Sequence, residues 1–281
     1  MPMLVEGIDL NSKRPVLRWH GGKWRIAPWI ISQFPQHRIY TEAFGGAASV
    51  LIQKPRAYGE VYNDLDEDVV NLFRVLQRPS GGRELERRLR LTPFARKEFE
   101  KSYQSAKEPI ERARRLIIRA FMGFGSNGHN SNRSTGFRAN SNRSGTTPAH
   151  DWNHYPNYVR IFTERLQGVV IECRPAIEII LQQDSQETLH YVDPPYVHST
   201  RTDDSPDYNF EMTDNDHCEL ASVLNGLKGM VVLSGYESDL YSNLFKDWKK
   251  ITRRAIADGG RTRIEVLYVN HKAAEKNKDL F

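Results

Sequence analysis

Between residues 38 and 77 one pattern occurs twice in succession: a short apolar stretch, a turn carrying glycine or carboxylate, and a helix-forming stretch. The first copy is a strand over 38–42, the turn Phe44-Gly45-Gly46 and a short helix over 47–53. The second is a strand over 60–63, the acidic turn Asp64-Leu65-Asp66 and a helix to about 77, with carboxylates suited to a helix N-terminus. Strands that alternate with helices belong to a parallel sheet, so this stretch predicts an α/β fold.

The alternation stops after residue 77 and resumes at 156. Pro79-Ser80-Gly81-Gly82 reads as a break. Arg-rich helices are expected over about 84–90, 93–103 and 109–122, and residues 123–151 are too crowded with Gly, Ser, Asn, Thr and Arg for a core element. That stretch is expected to form long loops or a β-hairpin. Beyond it the pattern predicts helices over 156–166, 176–182, 214–227 and 237–245, the last capped by Ser234, and strands over 169–172, 189–192, 230–233, 250–257 and 264–269. The expected organisation is one domain from 15–77 and 156–281, interrupted by an insert over 78–155.

Charge follows the same division. Residues 78–165 carry eighteen Lys or Arg and eight Asp or Glu, a surplus of ten positive charges, and the rest of the chain sums to −5. A basic middle in an acidic frame suits a polyanion-binding insert, and Arg-rich solvated helix faces would give the same count. Only Cys173 and Cys218 occur, neither with metal-ligand spacing, so no disulfide framework and no metal site are expected, and both read as small core residues. No apolar run is long enough to span a bilayer, and the first thirteen residues lack a signal peptide's pattern, so no membrane partner and a cytoplasmic location are expected. The sequence leaves oligomeric state open, with a monomer as the simplest expectation.

Four clusters carry chemistry. In Arg18-Trp19-His20-Gly21-Gly22-Lys23 two glycines allow close backbone approach to a ligand and Lys23 offers a cation; a plain turn would read the same way. In Glu42-Ala43-Phe44-Gly45-Gly46-Ala47-Ala48 a carboxylate at a strand end precedes a glycine turn, as where open α/β sheets receive nucleotide-like ligands. Asn63-Asp64 then places an acid where a ribose hydroxyl is commonly held, though helix capping also uses an acid there. Asp193-Pro194-Pro195-Tyr196 follows a strand directly and should arise by chance in roughly one in a thousand chains of this length.

The order RWHGGK, EAFGGAAS, ND and DPPY resembles the Dam-type, D12-class DNA adenine-N6 methyltransferases from about residue 15 onward. Residues 196–201 (YVHSTR), 211–213 (EMT), 234–236 (SGY) and 263–265 (RIE) resemble the phage-borne branch of that family. The resemblance implies a Rossmann-like class I methyltransferase sheet, S-adenosyl-L-methionine as cofactor, and double-stranded DNA as substrate. It further implies cofactor roles for Trp19, Gly21, Gly22 and Lys23, with Glu42, Phe44, Gly45 and Gly46 on the methionine side and Asp64 at the ribose or adenine end. Asp193 would serve both cofactor and target pockets. Asp193, Pro194, Pro195 and Tyr196 would be catalytic, with Tyr196 stacking on an extruded adenine. Asn127, Arg133, Arg138, Asn140 and Arg143 are candidate readers of the DNA, since Asn pairs with adenine and Arg with guanine, and each would equally serve as a loop residue on phosphate.

Three departures stand out. Ala43 stands where the family usually has proline after the motif glutamate, Ala48 replaces the last glycine of the family's FxGxG, and Arg174-Pro175 follows the strand where relatives often place Asp and an aromatic. The rival readings are a cytosine-N4 enzyme of the same fold, an inactive DNA-binding relative, and RNA as substrate. His20, His198 and His217 are expected to be surface or packing residues.

Overall fold

The computed structural model describes residues 14–125, 135–139, 145–200, 210–256 and 262–278. The chain divides into two compact units, Met1–Trp24 with Glu67–Gln167, and Arg25–Asp66 with Gly168–Phe281.

The second unit is built on one sheet. Its strands are β1 (Ile39–Glu42), β2 (Gly59–Asn63), β3 (Val169–Glu172), β4 (Thr188–Val192), β5 (Met230–Gly235), β6 (Lys249–Ile256) and β7 (Thr262–Val269), in the order β3-β2-β1-β4-β5-β7-β6. The first five are mutually parallel, and β7 runs antiparallel between β5 and β6. All residues of β4 and β5 are buried, as befits central strands covered on both faces. Val192, Val231, Leu233, Leu220, Leu224, Tyr241, Phe245 and Tyr268 share one core cluster.

This unit also holds α1 (Ala27–Ile31), α2 (Ser49–Gln53), α9 (Ala176–Gln183), α10 (Asp214–Gly226), α11 (Asp239–Leu244) and α12 (His271–Lys278). The start of α11 differs from the sequence reading, whereas that of α10 agrees with it. Helix α10 begins at Asp214, which places a carboxylate in its first turn, and Thr213 caps it through a reciprocal capping box with Asp216. Ser234 lies inside β5, and Ser238 caps α11 by accepting from the Tyr241 amide at 3.1 Å. Neither α1 nor α12 is expected from the sequence: α1 is one turn long, and α12 is polar, with Ala273 buried. Asn270 sets α12 in place, since its side chain accepts from the amides of Val231 and Ala273 and donates to the Gly229 carbonyl.

The first unit is helical. It contains α3 (Glu67–Gln77), α4 (Pro79–Arg90), α5 (Arg96–Lys101), α6 (Pro109–Met122), α7 (Pro148–His154) and α8 (Val159–Leu166). Helices α3, α4, α6 and α8 pack on one another through apolar faces such as Val69, Leu72, Phe73 and Leu76 of α3. The expected break at 79–82 is instead the first turn of α4. Pro79 fits the N1 position, and the two glycines are where neighbours come closest. A Cβ on Gly81 would lie 2.5 Å from the Val75 carbonyl oxygen, and one on Gly82 2.2 Å from Thr163 Oγ1.

The stretch expected to be loops or a hairpin contains both an antiparallel contact and a helix. Gly123 bridges Phe137, with Phe124 N to Gly136 O at 2.9 Å and Arg138 N to Met122 O at 2.8 Å. The Phe137 ring sits 5.1 Å from Phe94 and 5.8 Å from Phe99. Helix α7 then begins inside the expected loop, with Thr147 as its cap and Pro148 in its first turn.

Candidate active site

The sheet order runs one way from β1 through β2 to β3 and the other way through β4 to β5. Ligands of open α/β sheets bind at the carboxyl ends of the strands beside such a reversal. β1 ends there in Glu42, and β4 runs into Asp193-Pro194-Pro195-Tyr196. Glu42 is in register with Tyr191 of β4 and with Tyr62 of β2, so Glu42, Asp193 and Asp64 leave three neighbouring strands at one edge.

Glu42 is buried. Its Oε2 accepts from the Tyr40 hydroxyl at 2.7 Å and from the Leu51 amide at 2.8 Å. Burial pushes its carboxyl up to about 8, against the pull of those two hydrogen bonds, and the neighbouring Asp193 charge pushes the same way. Tyr40 is braced in turn: the Lys54 ammonium lies 4.4 Å from its ring centroid, and Lys54 is ion-paired with Glu60 at 2.6 Å.

The turn after β1 is held by the turn after β2. Asp64 Oδ2 accepts from the Gly46 amide at 2.7 Å and Oδ1 from the Asp66 amide at 2.8 Å; burial pushes its carboxyl up to about 6. Tyr62 donates its hydroxyl to the Gly46 carbonyl at 2.7 Å, and its ring occupies the space where a Cβ on Gly45 would be, 2.1 Å away. That position therefore requires glycine. Asn63 donates to the carbonyls of Ala43 and Arg174 and accepts from the Arg174 amide, joining the turns after β1, β2 and β3. Phe44 packs partly against the core cluster. Ala48, where the family pattern has glycine, has φ +52°, a backbone conformation that an L side chain adopts at a cost of about 1–2 kcal/mol.

In the Asp-Pro-Pro-Tyr segment Asp193 and Pro195 are half-buried and Pro194 is buried. Tyr196 is 9% exposed; its hydroxyl donates to Glu265 at 2.9 Å, and its ring meets Tyr236 edge-on at 4.5 Å.

Trp19, Gly21, Gly22 and Lys23 belong to the first unit, and there they form a tight turn. The Gly22 amide donates to the Trp19 carbonyl at 3.1 Å, Gly21 has φ +68°, and Lys23 Nζ donates to the Gly21 carbonyl at 2.8 Å. Of the candidate DNA readers, Asn127, Arg133, Asn140 and Arg143 lie outside the described residues. Arg138 is half-buried and donates to the Phe121 carbonyl at 3.2 Å. The helical arginines of this unit are extensively paired: Arg87 and Arg88 with Glu84, Arg90 with Glu86, Arg112 with Asp68, and Arg114 and Arg115 with Glu111.

The two cysteines are not core residues as expected: Cys173 is half-buried and Cys218 is exposed on α10. His217 is a packing residue, hydrogen-bonded to the Tyr241 hydroxyl at 3.1 Å, and His198 is exposed. Among the described residues no cluster of three or more His, Cys, Asp or Glu could hold a metal ion, and no helix is long and apolar enough to cross a membrane. Tyr40 and Tyr62 escape a reading of the sequence because large apolar residues in a strand read as core. The signal is positional, since Tyr40 lies two residues before Glu42 and so shares its strand face.

Residues 19–257 match the family described as D12 class N6 adenine-specific DNA methyltransferase. The chain belongs to that family. The sheet, with its antiparallel β7 inserted beside five parallel strands, is accordingly a Rossmann-like methyltransferase sheet. Among relatives, a DNA adenine methylase of Haemophilus influenzae is 25% identical over 194 residues, covering 66% of this chain and 64% of that protein. The Type II methyltransferase M.MjaIII of Methanocaldococcus jannaschii is 24% identical over 291 aligned positions, covering 91% and 96%. The chain thus spans slightly less than two thirds of the first relative and nearly all of the second. Glu42 ends β1 and Asp193, the first residue of the Asp-Pro-Pro-Tyr segment, follows the carboxyl end of β4, on the two sides of the reversal of the sheet.

Proposed function

We propose that this chain transfers a methyl group from S-adenosyl-L-methionine to N6 of an adenine rotated out of double-stranded DNA. The observation that carries the reading is the convergence of Glu42 and the Asp-Pro-Pro-Tyr segment at the carboxyl ends of β1 and β4.

The donor set fits the cofactor. Both hydrogen bonds to Glu42 fall on Oε2, so Oε1 has none among the described residues and can accept from an ammonium group. Asp64 accepts from the backbone amides of Gly46, Asp66 and Leu65, which leaves acceptor capacity on its two oxygens for a ribose hydroxyl. The family resemblance adds Trp19, Gly21, Gly22 and Lys23 to the cofactor-binding residues, and Phe44, Gly45 and Gly46 to the wall on the methionine side. When bound, the cofactor supplies an electrophilic methyl on a sulfonium.

The chain's own residues supply the rest. Adenine N6 is a weak nucleophile because its lone pair is delocalised into the ring. Asp193 and a backbone carbonyl of the Pro194-Pro195 turn accept its two N–H bonds, which favours a tetrahedral nitrogen and stabilises the positive charge that develops. The prolines fix the direction of that carbonyl, since their φ is locked. Tyr196 offers a π face in place of the lost stacking, and unstacking is required because N6 cannot be reached inside the duplex. Much of the remaining acceleration is positioning. Cations of residues 78–155 are proposed to neutralise backbone phosphates, with Arg138 and the Asn and Arg residues at 127, 133, 140 and 143 as readers of the sequence. Membership of the Dam-type, phage-borne branch, a site-specific activity and a cytoplasmic setting belong to the same reading and rest on the sequence motifs.

The test is transfer of labelled methyl to plasmid DNA, followed by digestion to nucleosides. N6-methyladenine is expected, and N4-methylcytosine in its place overturns the substrate. Asp193→Ala should lower turnover at least about a hundredfold while DNA binding persists. Full activity in that variant refutes the role of Asp193, and preference for structured RNA over duplex DNA in competition refutes the partner.

A further inference from the structure

Stacking on a base needs only an aromatic face, yet Tyr196 carries a hydroxyl that is used. It donates to Glu265 Oε2 at 2.9 Å, and Tyr196 is the one hydrogen-bonding partner of that carboxylate among the described residues. Glu265 lies on β7, which is separated from β4 by β5. Two residues away on the same strand face, the Arg263 guanidinium donates to the Thr200 carbonyl at 3.3 Å and lies 5.3 Å from the centroid of the Tyr236 ring. Tyr236 follows β5 and meets the Tyr196 ring edge-on. The segment after β4 is therefore gripped at two points by β7, at the Tyr196 hydroxyl and at the Thr200 carbonyl, and Tyr236 touches both Tyr196 and Arg263.

We propose that Glu265 and Arg263 form a clamp that holds the Tyr196 ring in its stacking orientation, with Glu265 as the positioning residue for Tyr196. The inference rests on the proposed role of Tyr196 against the extruded base. A free tyrosine side chain rotates about two bonds, and each alternative orientation it populates lowers the fraction of enzyme ready to receive the base. A charge-assisted hydrogen bond to a rigid strand removes that freedom before DNA arrives. Arg263 keeps the far end of the segment from lifting away.

The experiment compares Tyr196→Ala, Tyr196→Phe, Glu265→Ala, Glu265→Gln and the double variant Tyr196→Phe/Glu265→Ala. It measures kcat and KM for DNA, the fluorescence of 2-aminopurine at the target position, and Tm. Tyr196→Phe and Glu265→Ala should each reduce kcat/KM for DNA about tenfold and weaken the 2-aminopurine signal, with the KM for the methyl donor unchanged. The double variant should be no worse than either single variant, and Glu265→Gln, whose amide oxygen still accepts, should recover most of the loss. A merely structural role would lower Tm without the shared, non-additive loss. Should Glu265→Ala fail to fold, Tyr196→Phe deletes the same hydrogen bond by one oxygen atom. If Tyr196→Ala is inactive while Tyr196→Phe keeps wild-type kinetics, the clamp is refuted and the stacking role stands. If Tyr196→Ala itself retains activity, the stacking role and the clamp fall together.

Discussion

At the scale of single residues the site holds two carboxyl groups that burial makes easier to protonate. Burial raises Glu42 to about 8 and Asp64 to about 6, whereas the unfolded chain would titrate them near ordinary carboxylate values. The folded state therefore binds more protons than the unfolded state across that interval, and stability falls as pH rises through it. Two histidines, the half-buried His37 and the buried His190, act in the opposite sense at lower pH. Burial depresses His37 below its ordinary value and His190 to about 4, so their contribution grows with pH and levels off above the ordinary histidine value of 6.5. Between about pH 6.5 and 8 Glu42 dominates this dependence among the described residues. Ligand-free protein should lose several degrees of Tm over that window, and Glu42→Gln should lose little. Thermal unfolding at three or four pH values checks it, and an equally steep fall in both proteins refutes the raised Glu42 carboxyl. Glu42, Gly45, Gly46 and Asp64 are legible in the sequence because a strand end, a glycine turn and an acid recur at a recognisable spacing. Tyr40, which donates to Glu42, is not, because its role depends on a hydroxyl that hydrophobic patterning does not register.

At the scale of elements the sheet is readable and the helix ends are less so. The short strands β1, β2, β3, β4 and β5 each announce themselves as an apolar run that ends at a turn. Pro79-Ser80-Gly81-Gly82 misleads because glycine is normally a helix breaker, whereas here its missing Cβ lets α4 approach α3 and α8. Local propensity and tertiary fit therefore oppose each other at Gly81, and their magnitudes can be compared. Alanine would gain about 1 kcal/mol of helix propensity. Its methyl would meet the Val75 backbone carbonyl at 2.5 Å, an atom that cannot rotate away, and such overpacking costs about 1–3 kcal/mol. Gly81→Ala is expected to be neutral to clearly destabilising, by up to about 2 kcal/mol, where an exposed helical glycine would be improved. Chemical denaturation reads the sign, and a gain of stability shows that α3 and α4 have room to part. The turn chemistry at Thr147-Pro148 and Thr213-x-x-Asp216 is present in the sequence itself; the first is hidden inside a polar stretch that looks like loop, and the second immediately precedes the helix expected from Asp214.

At the scale of the whole molecule the informative quantity is charge and which part of it is already spent. The count of ten surplus positive charges over 78–165 comes from the sequence, but a count does not distinguish a guanidinium held by a carboxylate from one facing water. Arg87 sits in a forked pair with Glu84 at 2.8 and 2.9 Å, and Arg160 is paired with Glu164 at 2.8 Å. Lys97, Lys101 and Lys107 are exposed and have no carboxylate partner among the described residues. A phosphate can displace water from these lysines at once, whereas the paired arginines must first give up an existing ion pair. The lysines should therefore carry more of the salt-dependent part of DNA binding. Replacing Lys97 and Lys101 together by Ala is expected to reduce the slope of log K against log salt by about 2, roughly one for each phosphate no longer neutralised. Arg87→Ala and Arg160→Ala should each leave it nearly unchanged. Fluorescence anisotropy with one duplex at four salt concentrations makes the comparison. If the arginine variants flatten the slope and the lysine variants do not, the ion pairs open on binding and the paired helix surfaces, not α5 and the turn after it, meet the DNA backbone.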